Sequence, residues 1–96
     1  MEITDLPGGD LVVAGLRDAA AGAVTVPALL VAIGAPRLRR LGYAAPLHVA
    51  SPERRLYELL AREGEDAAHG RYNALVRRLV SFERAAEALG APPAPV

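Results

Sequence analysis

Apolar residues recur at helical spacing in two segments of the first half of the chain. The first segment begins at Asp10, whose carboxylate we expect to cap the free amides of a helix, and it ends at Gly22. The second begins at Thr25, another capping residue, and is broken by Gly34. The apolar face of this second segment consists of Val26, Leu29, Leu30 and Ile33. Its regular spacing predicts a helix that faces the core.

Proline and glycine divide the middle of the chain into shorter elements. Residues 36–41 predict a short helix that opens on a proline and stops before Gly42. Residues 43–50 contain a proline and predict an extended connector. Ser51, followed by Pro52, predicts a hydroxyl-capped helix that runs to Glu63. The residues expected on its buried side are Leu56, Tyr57, Leu59 and Leu60.

The last helix is predicted from Glu65 to Leu89 and has the most regular apolar pattern in the chain. Gly70 weakens the helix near its beginning, so the start could be as late as Arg71. Apolar residues alternate at spacings of four and three, which is the 3.5-residue period of a coiled-coil seam. The seam consists of Ala68, Tyr72, Leu75, Leu79, Phe82, Ala86 and Leu89.

This seam has two interpretations. It could pack against the chain's own helices as the spine of a bundle, which we favour. Alternatively, it could pair with the seam of a second copy in a homodimer. In a parallel pair, Arg78 would meet Glu83 of the partner, because these residues flank the seam on opposite sides. The self-association surface would then comprise Tyr72, Leu75, Arg78, Leu79, Phe82, Glu83, Ala86 and Leu89.

These segments predict an all-α fold, a small domain of four to five helices with a long C-terminal helix. Residues 10–90 form this single domain, a size that can bury a thin core. Residues 1–9 are expected to be a flexible arm, because they contain Pro7, Gly8 and Gly9. Residues 91–96 contain three prolines and predict a disordered tail.

Composition excludes several kinds of chemistry. Eleven basic and eleven acidic side chains cancel, which argues against the strongly basic field of a dedicated nucleic-acid binder. Every cation is an arginine and there is no cysteine, so lysine Schiff bases, thiolate nucleophiles and disulfides are excluded. The longest apolar stretch, residues 19–34, is too short and too interrupted to span a membrane. The acidic beginning of the chain is unlike a signal peptide, so we expect a cytoplasmic protein with no membrane contact.

Charge is nevertheless concentrated on the short helix of residues 36–41, which carries Arg37, Arg39 and Arg40. A helix, a turn with Gly34 and a second, arginine-bearing helix resemble a helix-turn-helix motif. The three arginines could therefore contact DNA, although the second helix is short. They could equally contact an acidic protein partner, because arginine is enriched at interface hot spots. The simpler alternative, which we favour over DNA contact, is that they form the solvated face of a short helix.

Candidate catalytic and metal-binding groups are sparse. Glu65, Asp66 and His69 share one helix turn but supply only half of a metal site. His48 could pair with Ser51, yet nothing indicates an orienting carboxylate or an oxyanion hole. We therefore expect no enzymatic activity, no cofactor, no bound metal and no small-molecule substrate.

The sequence thus predicts a non-enzymatic protein-interaction module, such as an adaptor, a regulator or an antitoxin-like inhibitor, that acts through helix surfaces. Its partner would be another protein or a second copy of the chain. The alternative is a helix-turn-helix DNA-binding regulator, dimeric in one version of that hypothesis.

Overall fold

A computed structural model describes residues 3–45 and 48–90, and within these ranges there is no β-strand. A short 3₁₀ helix is followed by five α-helices, so the predicted all-α fold with a long C-terminal helix is confirmed. The elements are the 3₁₀ helix Ile3–Asp5, α1 (Gly9–Ala20), α2 (Val26–Ile33), α3 (Ala35–Arg40), α4 (Pro52–Glu63) and α5 (Glu65–Ala88).

The sequence placed several helix ends correctly. The Thr25 hydroxyl accepts a hydrogen bond from the Ala28 amide at 3.2 Å, as expected of a residue that caps α2. The same hydroxyl donates to the Asp18 carboxylate at 2.6 Å, which ties the beginning of α2 to α1. Gly22 and Gly42 follow α1 and α3 with φ values of 75° and 99°, the left-handed conformation that favours glycine.

Two predicted caps are wrong. Helix α1 begins at Gly9, before Asp10, and Gly8 is its N-cap residue. The Asp10 carboxylate instead accepts a hydrogen bond from Arg78 at 2.8 Å. Ser51 precedes α4 in a left-handed conformation, with φ of 51°, and its side chain makes no capping hydrogen bond. A capping hydroxyl needs an extended backbone to reach the free amides, and Ser51 does not provide one.

Helix α5 begins at Glu65, directly after Gly64, and Gly70 does not delay its start. Packing against α4 explains why, since α4 and α5 are in contact and Ala68 is fully buried. Tertiary contacts of this kind outweigh the local preference of a single glycine.

The second helix lies at the centre of the fold. Helix α2 has no polar residue, and residues 28–31 are at most 1% exposed. A helix that is apolar on every side has to be covered on every side, and α2 contacts α1, α3, α4 and α5. The expectation that the last helix is the spine is therefore corrected. The predicted one-sided face is also wrong in detail, because Ala28 and Val31 are buried while Val26 and Ile33 are half-buried.

Helix α1 approaches α2 closely at Gly15. A Cβ atom at Gly15 would overlap the carbonyl of Pro27 and the side chain of Val31. Only glycine leaves room for the backbones of the two helices at this crossing.

The segment before α1 is docked on the domain in its described part. Ile3 and Leu6 pack against the core. A Cβ atom at Gly8 would overlap the backbone of Arg78, and one at Gly9 would overlap the backbone of Ile3. The two glycines thus allow residues 3–9 to lie close to α1 and α5. The flexibility expected for residues 1–9 remains a prediction, but Gly9 itself belongs to α1.

Other expectations concern membranes and the remaining residues. Among the described helices, none is long and apolar enough to cross a membrane.

The described residues of the predicted connector, 43–45 and 48–50, are not helical. Its Pro46, and the tail predicted for residues 91–96, lie outside the described residues.

Replacing Gly15 with alanine is expected to destabilise the protein by about 1–3 kcal/mol, because the added methyl group forces α1 away from α2. Chemical denaturation monitored by circular dichroism measures this change in the free energy of unfolding.

Gly70→Ala is the matched control. Gly70 is also within a helix, but a Cβ atom there would meet nothing within 4 Å. This variant should be more stable than wild type by roughly 0.5–1 kcal/mol, since alanine loses less backbone entropy in a helix. Equal changes in the free energy of unfolding for the two variants would contradict the close contact at Gly15.

Candidate functional site

The short helix α3 is held against α5 through its junction with α2. Gly34 forms this junction, and a Cβ atom there would lie 3.0 Å from Leu79 Cδ2 and 3.1 Å from Glu83 Oε2. The absence of a side chain therefore lets the junction rest on α5. Ala35 and Leu38 are buried and anchor α3 in the core.

The structure gives the three arginines of α3 different surroundings. Arg37 Nε donates a hydrogen bond to Glu87 at 2.8 Å, and its Nη1 lies 3.6 Å from Glu83. Arg39 donates to the backbone carbonyl of Ala45 at 2.7 Å. Arg40 is exposed and forms no hydrogen bond or ion pair with residues 3–45 or 48–90. The predicted contact residues thus do not act as three equivalent free cations.

Glu83 is the charged side chain that the fold buries most deeply among the described residues, at 4% exposure. Burial raises the pKa of its carboxyl group, Arg37 opposes that shift, and the nearby Glu87 adds to it. The pKa of Glu87 is lowered, mainly because its carboxylate accepts the hydrogen bond from Arg37. The guanidinium of Arg37 therefore lies beside two carboxyl groups whose pKa values are shifted in opposite directions.

An open groove of about 280 Å³ lies between the α2–α3 junction and α5. We call it the α3–α5 groove; its lining is Ile33, Gly34, Pro36, Arg37, Arg40, Val76, Leu79, Val80 and Glu83. Most of this lining is aliphatic, and the polar groups are those of the arginines and Glu83. An apolar surface with a few polar groups is the usual composition of a protein-binding groove.

The sequence missed the apolar half of this groove. Ile33 was assigned to the core face of α2, whereas Pro36, Val76 and Val80 were assigned to no binding surface. A signal was present, because Val76 and Val80 are four residues apart and so lie on one side of the helix. That α3 lies opposite them depends on tertiary packing.

A second, larger cleft of about 550 Å³ lies between α3, the connector and the beginning of α4. Its titratable lining comprises Arg39, His48 and Glu53, which do not share one charge. Arg39 is already bonded to the Ala45 carbonyl. The titratable groups of this cleft therefore do not favour a ligand of one charge, although apolar side chains also line it.

The seam of α5 is largely occupied by the chain's own core. Phe82 and Leu79 are buried, together with Ala68 and Ala86, whereas Leu89 is 56% exposed. The other two seam residues, Tyr72 and Leu75, are half-buried.

The two flanking residues named for a dimer also have partners within the chain. Arg78 is bonded to Asp10, and Glu83 lies near Arg37. Desolvation raises the pKa of Asp10, but the hydrogen bond from Arg78, its charge and backbone hydrogen bonds together outweigh this and leave the pKa lowered. The packing thus corresponds to the interpretation of the seam as part of the chain's own bundle.

The candidate metal and catalytic groups are not brought together. His69 Nε2 lies 3.2 Å from the side-chain amide of Asn73. Within the described ranges, no group of three or more His, Cys, Asp or Glu residues is placed to hold a metal ion. His48 lines the larger cleft, and no hydrogen bond among the described residues joins it to a serine or a carboxylate.

Comparison of the chain with protein-family models, curated proteins and solved structures found no match. Function therefore has to be inferred from the chemistry of the surface itself. The α3–α5 groove is a part of that surface where apolar side chains adjoin Arg40, an exposed cation without an ion-pair partner among the described residues.

Glu83→Gln should change how stability depends on pH. In wild type, the raised pKa means that the folded state holds the proton more tightly than the unfolded state. The contribution of Glu83 to stability is full below its ordinary pKa of 4.5 and is lost as pH rises through the raised value. We expect the variant to gain stability relative to wild type as pH rises above 4.5, measured by urea denaturation over a series of pH values.

Glu87→Gln provides the control with the opposite sign. The lowered pKa of Glu87 gives stability that is present above its ordinary value and lost as pH falls. This variant should therefore be less stable than wild type at neutral pH, with the difference shrinking in acid. If the free energies of unfolding of the two variants, each relative to wild type, changed with pH in the same direction, the assigned roles of the two carboxylates would be ruled out.

From the packing of the seam we also expect a monomer at micromolar concentration. Pairing through α5 would require Leu79 and Phe82 to leave the core. Sedimentation velocity measures the mass directly, and a dimer in that range would favour the self-association hypothesis instead.

Proposed function

We propose that this protein is a small non-enzymatic interaction module that binds a protein partner through the α3–α5 groove. The observation that carries the proposal is the groove itself, where half-buried aliphatic side chains adjoin the exposed Arg40. Burial of such side chains supplies affinity, and an arginine at the edge supplies orientation.

A catalytic role for the groove has less support. Glu83 has a raised pKa, which is a property of many catalytic acids and bases. However, the groove lining contains no hydroxyl or imidazole that could act with it, and its near neighbour is Arg37. A carboxyl group paired with a guanidinium is more simply explained as the tie between α5 and α3.

A helix-turn-helix DNA-binding role is not favoured by any observation. Gly34 alone joins α2 to α3, whereas the motif uses a turn of about three or four residues. Helix α3 is six residues long, and Arg37 is already paired with two carboxylates. The cations needed along a recognition helix are thus only partly available.

Affinity capture with matched variants tests the proposed groove. Arg40→Glu reverses an exposed charge in the groove, and Arg55→Glu makes the same change on α4, outside its lining. A Val80→Ser variant weakens the apolar side of the groove. We expect a partner that binds wild type and Arg55→Glu but is lost with Arg40→Glu and with Val80→Ser.

Circular dichroism melts should show that all three variants are folded before capture. The proposal fails if every captured protein binds the groove variants as well as wild type. It also fails if Arg55→Glu removes the same partners as Arg40→Glu, because binding would then depend on charge and not on the groove.

A further inference from the structure

One of the two arginines that line the α3–α5 groove has no ion-pair partner among the described residues. The carboxylates nearest to the groove, Glu83 and Glu87, are both engaged by Arg37. Arg40 attracts the same two carboxylates at longer range, but it has no ion-pair partner within the described part of the chain. On the α3 side, the groove therefore ends in a cation that is free to bind.

The α5 side is bordered in the same way. Arg77 and Arg84 lie three residues before and four residues after Val80, so helical geometry puts them on the side of α5 that carries Val80. Both are exposed. Arg77 donates to the neutral backbone carbonyl of Asn73, and within residues 3–45 and 48–90 neither arginine forms an ion pair. Ile33, Val76 and Val80, which we call the aliphatic strip, thus lie between cations of α3 and cations of α5.

We infer that the groove binds an amphipathic helix of another protein, with carboxylates on both sides of its apolar face. This inference rests on the proposed function and specifies the class of partner. Aliphatic anchors of the helix would cover Ile33, Val76 and Val80, as in other helix-in-groove complexes. Its carboxylates would meet Arg40, Arg77 and Arg84, whereas a helix flanked by cations would be repelled.

A second copy of this chain fits the groove less well. In α1 the acidic side chains outnumber the basic ones, but both of these acidic side chains form hydrogen bonds within the fold. Asp10 accepts a hydrogen bond from Arg78, and Asp18 accepts one from Thr25. Each of these carboxylates is thus already engaged within the fold, which makes it less available to a second copy.

A pair of synthetic helical peptides tests the inference. Both carry leucines on one face; the flanking positions are glutamates in one peptide and lysines in the other. Fluorescence anisotropy with the full chain should show that the acidic peptide binds at least about tenfold more tightly. Its affinity should fall as salt is raised, because exposed charges are screened.

Variants connect this binding to the groove. Arg40→Glu should weaken the acidic peptide by about tenfold and reduce the preference over the lysine peptide, while Arg55→Glu should leave both affinities unchanged. Weaker binding of both peptides to Val80→Ser would show that the aliphatic strip contacts the peptides. A random-sequence DNA duplex is added as a competitor.

Several results would overturn the inference: no binding of the acidic peptide, equal or tighter binding of the lysine peptide, or the same loss with Arg55→Glu as with Arg40→Glu. Displacement of the peptide by duplex DNA in wild type, but not in Arg40→Glu, would overturn it in favour of nucleic acid. A partner that affinity capture links to the groove, but that has no acidic helix, would refute this inference and leave the proposed function standing.

Discussion

The structure depends on the need to cover an entirely apolar helix. Helix α2 offers no polar side to water, so the other helices have to surround it. Helix α1 does so by close backbone contact at Gly15, and α4 does so through Leu56 and Leu60, which are fully buried. The hydrophobic core of so small a domain is therefore built around α2.

The position of the candidate binding surface follows from the same constraint. Because α2 is enclosed, the chain leaves it through a glycine that rests directly on α5, and α3 begins at once beyond it. This places Arg37 beside the carboxylates of α5 and leaves Arg40 exposed. The groove is thus a by-product of how α2 is covered, although its lining has the chemistry of an interface.

The sequence predicted the helices well and their arrangement poorly. Glycines, prolines and the Thr25 cap are local signals, so the ends of α2 and α4 could be placed from them. The caps at Asp10 and Ser51 were wrong because tertiary contacts and backbone conformation override a side chain's preference. The centre of the fold was misassigned because a helix that is apolar all round gives no directional pattern, whereas the period of α5 was prominent. The α3–α5 groove was missed because it joins residues about 40 positions apart, and no local pattern reports such proximity.

The contact between the beginning and the end of the chain has a consequence for biosynthesis. The Asp10 carboxylate is bonded to Arg78, 68 residues later, and Gly8 packs on the backbone of the same residue. The groove likewise needs both α3 and the C-terminal half of α5. While α5 is still being translated, the earlier helices lack the side of the core that α5 covers, and the α3–α5 groove has not yet formed. The proposed binding surface would therefore form only when α5 docks on the earlier helices.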